Sequence, residues 1–244
     1  MRPIAHAALL LAALFAATHR LSAQAPANVT GHWEGIIQAP GLDVSVEIDV
    51  ADTGHELVGT FGQPAQRLKG LPLTNLAVEG RSVTFQIKGG TNGQRVFKGD
   101  LSADGKVIAG EYASQLGTLP FRVTRIGDAR IEPVAKSAAI AKALEGVWDG
   151  TLEVDGGLHL RLRLANQPDG TSAGSIVNVA EAVEIPLSAI TQTASGVGFD
   201  LKPVGGSYSG ALNPEGTALV GTLTQGQLVA PLTFRRVPSA TDKR

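Results

Sequence analysis

The chain has 244 residues and nearly balanced charge, 21 Lys and Arg against 22 Asp and Glu, so it lacks the basic surface that nucleic acid or an anionic membrane requires. It contains no cysteine, which excludes disulfides, thiol catalysis and thiolate metal sites and leaves each folded unit to hold itself together by burial. Its 30 glycines, frequent β-branched residues and sparse charges suit short strands joined by tight turns.

The first residues read as a secretory leader. Arg2 gives a short basic start, Ala7 to Ala17 form an apolar run, and Leu21-Ser22-Ala23 before Gln24 is a small-residue cleavage site. The run is too short to span a bilayer, and no later stretch reaches the ~20 apolar residues a membrane helix needs. The expectation is export to the periplasm or the exterior, a leader over 1–23, a flexible mature start over 24–30, and a soluble protein without membrane insertion.

An internal repeat follows. Gly31-His32-Trp33-Glu34-Gly35 recurs as Gly146-Val147-Trp148-Asp149-Gly150, and Leu71-Pro72-Leu73-Thr74-Asn75-Leu76 as Ile185-Pro186-Leu187-Ser188-Ala189-Ile190. Phe85 matches Phe199, Phe97 to Leu101 match Tyr208 to Leu212, Gly110 matches Gly221, and Pro120 to Arg125 match Pro231 to Arg236. Conserved order with nearly conserved spacing predicts two copies of one unit, residues 31–126 and 146–238. Between them, in the linker 127–145, Val134 to Glu145 are rich in helix formers after Pro133, which predicts one short helix acting as linker or barrel plug. Residues 239–244 read as a frayed tail.

Within each copy the hydrophobic period is two. Val44, Val46, Ile48 and Val50 alternate with Asp43, Ser45, Glu47 and Asp49; Leu158, Leu160, Leu162 and Leu164 alternate with His159, Arg161 and Arg163. Turn signals recur at Asp52-Thr53-Gly54, Glu79-Gly80, Asn92-Gly93 and Asp104-Gly105, then at Asp155-Gly156, Pro168-Asp169-Gly170, Ser195-Gly196 and Glu215-Gly216. About eight short strands per copy result, enough for an antiparallel up-and-down sheet to close on itself. The predicted fold is all-β, two tandem barrels; a pair of β-sandwiches fits the same count.

Gly-x-Trp in the first strand with an Arg late in the last resembles the calycin (lipocalin-like) barrels. The resemblance implies that Trp33 pairs with Arg125 and Trp148 with Arg236, closing one end of each barrel by cation–π stacking. Both copies also look like the β-domain that precedes the catalytic domain in secreted bacterial serine-type α/β-hydrolases. Copy one keeps Pro64, Gln66, Lys69, Gly70, Leu71 and Pro72 of that domain's central pattern, with Gln63 and Ala65 in place of its Ser and Asp. Copy two keeps Pro186 and the ending, Gly221 to Gly226 and Pro231 to Arg236, while Val177 to Glu184 has lost the central pattern. The resemblance spans nearly the whole chain after the leader and implies an accessory or binding role without catalytic residues.

Residue chemistry points the same way. Gly170-Thr171-Ser172-Ala173-Gly174 has the serine-hydrolase spacing but lies in a hairpin, not on the strand-to-helix turn that exposes a nucleophile. Past the leader, His32, His55 and His159 lack metal-ligand spacing, and Asp43, Glu47 and Asp49 lie along a strand rather than in a calcium loop. No metal, cofactor or enzyme activity is expected. The repeat places Glu47 opposite Arg161 in role, and Asp49 opposite Arg163, so the same outward face is acidic in one copy and basic in the other. That predicts docking of these faces, between domains or between chains. Two loops are candidate binding surfaces: Gln63 to Lys69, with Gln66, and Gln225 to Leu228, with Gln227. The expected function is a non-catalytic binding module holding a small apolar ligand in a barrel; the alternative is an interaction protein for a secreted hydrolase or an envelope partner.

Overall fold

Alternating burial builds the first copy. In its second strand Val46, Ile48 and Val50 are each 1% exposed, whereas Ser45 is exposed, as a period of two requires. The computed structural model describes residues 27–88, 95–114, 117–133, 135–154, 156–180, 183–194 and 196–238. The predicted leader, residues 24–26, the Asn92-Gly93 turn, Val134, Asp155, Ser195 and the tail 239–244 lie outside the described residues.

Copy one consists of β1 (Gly31–Ala39), β2 (Leu42–Asp52), β3 (Leu57–Gln63), β4 (Leu68–Glu79), β5 (Ser82–Ile87), β6 (Arg95–Leu101), β7 (Val107–Ser114) and β8 (Gly117–Gly127). They pair antiparallel in chain order, and β8 returns to β1, closing a barrel. After a two-residue strand β9 (Ser137–Ala138), copy two runs through β10 (Gly146–Leu152), β11 (Leu158–Asn166), β12 (Thr171–Asn178), β13 (Val183–Pro186), β14 (Ser188–Gln192), β15 (Gly196–Leu201), β16 (Gly206–Leu212), β17 (Ala218–Gln225) and β18 (Leu228–Arg236). Its sheet runs from β13 round to β14, with β10 paired to β18, and is nearly closed. The architecture is therefore two tandem antiparallel barrels, not sandwiches.

The two copies share one irregularity. In copy one β4 bulges where Asn75 takes a left-handed conformation (φ 51°), and β3 pairs with β4 only between Thr60–Gln63 and Leu68–Pro72. The matching residue of copy two, Ala189, is also left-handed (φ 49°), and there the corresponding strand is divided into β13 and β14. A left-handed residue turns the chain out of the ladder, so β12 and β14 diverge.

The linker corrects the sequence expectation. It forms no α-helix: Ser137–Ala138 pair with Ser172 and Thr171 of β12, and helical geometry is confined to a 3-10 turn at Lys142–Leu144. The gap between β12 and β14 explains this. The Ser137 hydroxyl accepts the Ile190 amide at 2.8 Å, and the Asn166 side chain holds both the amide and the carbonyl of Ile140. Ile140 and Leu144 are buried in the core of barrel two. Tertiary pairing and burial thus outweigh the small per-residue helix preference of an Ala-rich stretch.

The tryptophans pin the chain that leads into each barrel. Trp33 donates its indole N–H to the Val29 carbonyl at 3.0 Å, and Trp148 donates to Leu144 at 3.2 Å. The Arg125 guanidinium lies 4.6 Å from the centre of the Trp33 ring, and that of Arg236 lies 3.9 Å from Trp148. Arg125 also donates to the Asn28 carbonyl, and Arg236 to those of Ala143, Glu145 and Gly216.

Ala189 carries a Cβ where the backbone favours glycine, a conformation costing about 1 kcal/mol for other residues. Ala189→Gly is expected to leave stability unchanged or raise it by about 0.5 kcal/mol, since glycine's greater unfolded-state entropy offsets part of the gain. Ala189→Val should lower it by at least ~1 kcal/mol, because a β-branched side chain tolerates this conformation worst. Urea unfolding of the two variants distinguishes these outcomes.

Candidate functional site

Aromatic side chains pack in the core of each barrel. In barrel one Phe97 stacks on Phe85 (ring centres 4.7 Å apart), meets Phe121 edge-on at 5.1 Å and touches Tyr112 at 4.5 Å and Phe61 at 5.9 Å. In barrel two Tyr208 stacks on Phe199 at 5.1 Å and meets Phe234 at 5.4 Å. The Tyr208 hydroxyl donates toward the carbonyls of Leu219 and Leu232, and burial pushes its phenol well above the usual value. These rings pack in the interior of each barrel.

One cavity lies between the barrels. Barrel two presses the start of β13 onto barrel one, so that Val183 is buried in the core of barrel one and Ile185 and Val204 touch both cores. Beside this apolar bridge the Glu184 amide donates to the Lys88 carbonyl at 3.3 Å, and the two side chains form an ion pair at 3.1 Å. Next to it opens a half-enclosed cleft of about 270 Å³. Barrel one contributes Thr60, Lys69, Gly70 and Pro72; the linker contributes Arg130, Glu132 and Pro133; barrel two contributes Pro186, Leu187, Ser188, Lys202 and Pro203.

The cleft is amphipathic and cationic. Four prolines and Leu187 give it apolar walls, whereas Lys69, Arg130 and Lys202 bring three positive charges against the one carboxylate of Glu132. Glu132 lies 4.0 Å from Lys202, so neither Lys69 nor Arg130 depends on it for a counter-charge. The Arg130 backbone is fixed, because its amide donates to the Asp49 carboxylate at 2.8 Å. This arrangement suits a small anion with a short apolar body.

The sequence candidates scatter around this cleft. Lys69 lines it; Gln63 is half-buried at the end of β3, and Gln66 is exposed on a 3-10 turn (Pro64–Gln66). Gln225 donates its side-chain amide to the Val204 carbonyl at 2.9 Å, bracing the bridge, and Gln227 is exposed on the β17–β18 turn. The two loops converge: a Cβ placed on Gly226 would stand 3.8 Å from an Arg67 guanidinium nitrogen. Sequence reasoning missed Arg130, Glu132, Leu187, Ser188, Lys202 and Pro203. A single signal bore on them, the repeat of Leu71-Pro72 as Ile185-Pro186, and it does not say that the two copies face one another.

Charged residues on the strand faces find partners within their own barrel. Asp149 of β10 receives a two-pronged hydrogen bond from Arg161 of β11 at 2.7 and 2.9 Å, so that arginine is engaged within its own barrel. In barrel one the same register brings His32 between Asp49 and Glu34, with its ring nitrogens 2.9 and 3.0 Å from their oxygens. Among the described residues no ion pair joins Glu47 or Asp49 to Arg161 or Arg163. Ser172 is buried in β12 and donates to the Ala138 carbonyl at 2.8 Å, where it supports β9. No group of three or more His, Asp or Glu among the described residues is placed to hold a metal.

No protein-family model matches the chain, and no curated protein matches it. Among solved structures, the chain is similar to a protein of unknown function from the DUF3598 family of Nostoc punctiforme (14% identity, 85% of this chain and 96% of that one, TM-score 0.23). It is also similar to a protein described as a candidate outer membrane protein of Bacteroides fragilis (11% identity, 86% and 98%, TM-score 0.26). The fold assignment rests on the strand pairing described above. No helix among the described residues is long and apolar enough to cross a membrane.

The hydrogen bonds from Arg161 hold the Asp149 carboxyl below its ordinary value of 3.8. A carboxylate with a lowered folded-state value contributes stability above its unfolded value, and that contribution is lost as pH falls through the folded one. Thermal melts should therefore show wild type more stable than Asp149→Asn at neutral pH, with the margin shrinking as pH falls below the ordinary carboxylate range. A margin that persists unchanged in acid would contradict this.

Proposed function

We propose that the chain is an exported, non-catalytic binding protein whose ligand site is the cleft between its two barrels. The observation that carries this reading is the meeting of Lys69, Arg130 and Lys202, from three separate parts of the chain, over walls of proline and leucine. Pockets of this kind bind through apolar surface and are made selective by a few convergent polar groups. The ligand class that fits is a small organic anion, a carboxylate or phosphate on a short hydrocarbon or ring. Apolar walls and converging charge in one half-enclosed space support the placement.

Calorimetric titration tests the reading with three probes of one size: hexanoate, hexanol and hexylammonium. Hexanoate should bind at least roughly tenfold more tightly than hexanol, a difference of about 1.4 kcal/mol, and hexylammonium should not bind. The double variant Lys69→Glu with Lys202→Glu should abolish that preference without lowering the melting temperature, since both lysines are exposed. Added salt should weaken hexanoate and leave hexanol unchanged. Equal affinity for the acid and the alcohol would contradict the assignment.

A second reading has its own support in the convergence of the Gln63–Lys69 and Gln225–Leu228 loops at one exposed edge of the barrel interface. In it that edge docks a protein partner, and a secreted hydrolase or an envelope protein is the kind of partner the sequence resemblance implies. A photo-crosslinking residue at Gln227 of the exported protein should then capture one defined partner, while the same residue at Asp43, on β2, should not.

A further inference from the structure

The two barrels meet through the same stretch of each repeat. Residues 69–88 align with 183–202 without a gap: Leu71-Pro72-Leu73 matches Ile185-Pro186-Leu187, Val83 and Phe85 match Val197 and Phe199, and Lys88 matches Lys202. Contacts between the barrels respect that equivalence. The Glu184 amide donates to the Lys88 carbonyl, and the two side chains pair at 3.1 Å. Because position 184 matches 70 and position 88 matches 202, the reciprocal contact is Gly70 with Lys202. Those two residues do line one cleft, and β4 lies against the 3-10 turn Lys202–Val204. Pro72 and Pro186, equivalent to each other, line it together. Such reciprocity is what a two-fold relation between like domains produces.

The two halves of this contact differ in what they carry. On the closed half Glu184 gives its carboxylate to Lys88, and Val183 beside it is buried in the core of barrel one. On the open half Gly70 stands in place of the glutamate and Lys69 in place of the valine. Gly70 is left-handed (φ 71°), and a Cβ placed on it would have no heavy atom within 4 Å. Lys202 thus lacks the partner that its equivalent has. Among the described residues its carboxylate contact is Glu132 at 4.0 Å, with the two side chains 55% and 80% exposed. The space that a glutamate side chain occupies on the closed half belongs, on the open half, to the cleft.

We propose that a ligand carboxylate takes the place of the missing glutamate. The assignment rests on the cleft being the binding site, and it narrows the ligand to a carboxylate on a short aliphatic chain with Lys202 as its anchor. The carboxylate lies against the Lys202 ammonium as that of Glu184 lies against Lys88, and it displaces the loosely held Glu132. The aliphatic chain runs over Pro72, Pro186 and Leu187, while Lys69 and Arg130 add to the positive potential that draws the anion in.

Calorimetry with hexanoate on the exported protein tests this. Lys202→Met should weaken hexanoate roughly fivefold or more, and by a larger factor than Lys69→Met. Both lysines are exposed, so neither change removes core packing. Gly70→Glu should supply the carboxylate from within the chain and weaken hexanoate roughly fivefold more than Gly70→Ala, which bears the same left-handed strain without the charge. Equal losses in the two Gly70 variants, or a Lys202→Met protein that binds hexanoate as wild type does, would overturn the assignment and leave the cleft standing as an anion site. Failure of the wild-type protein to bind hexanoate at all would remove both.

Discussion

A single backbone constraint shapes both halves of this protein: a left-handed residue in the fourth strand of each repeat, Asn75 and Ala189. An L-residue in that conformation turns the strand out of the plane of its ladder, so the third and fourth strands pair along only part of their length. Such an opening exposes backbone donors and acceptors beside the core. In barrel two the solution is visible. The linker abandons the helix its composition favours and lies in the opening as β9, held by Ser137, Asn166 and Ser172.

The Trp–Arg pair works with this constraint from the other end of the lead-in. Each tryptophan accepts a guanidinium over its ring and donates to a carbonyl four residues upstream. That fixes where the chain enters each barrel. The same register then diverges in its chemistry. Asp149 with Arg161 is a neutralised pair, whereas Glu34, His32 and Asp49 form a chain of acid, imidazole and acid whose last member also holds the linker at Arg130. Through Arg130 this cluster reaches the cleft, so a polar contact on the outside of barrel one helps to orient a wall of the candidate site.

Much of the scaffold was legible in the sequence and little of the site. Period-two alternation in Val44 to Val50 and Leu158 to Leu164 needs only local chemistry, and the Gly-x-Trp repeat needs only comparison of the chain with itself. The helix expected at Val134 to Glu145 failed because propensity is local, while the gap it fills is made by residues fifty positions further on. The His32 trio was hidden for a related reason: which side chains face each other depends on strand register. The cleft is assembled from β3 and β4, the linker, the β13–β14 break and the turn at Lys202, and Lys69 alone among its charges stood out beforehand. Nothing in one sequence states that two repeats will face each other across Val183, Ile185 and Val204.

The central claim is that the barrels form one rigid body, because a cleft built from both exists only at a fixed orientation. Residual dipolar couplings measured on backbone amides of the chain from Gln24 onward test it directly. If the apolar bridge and the Lys88–Glu184 pair hold, couplings from β1–β8 and from β10–β18 fit one alignment tensor. Two tensors of different magnitude or orientation would show barrels moving independently on their linker, and the cleft would then not be a site.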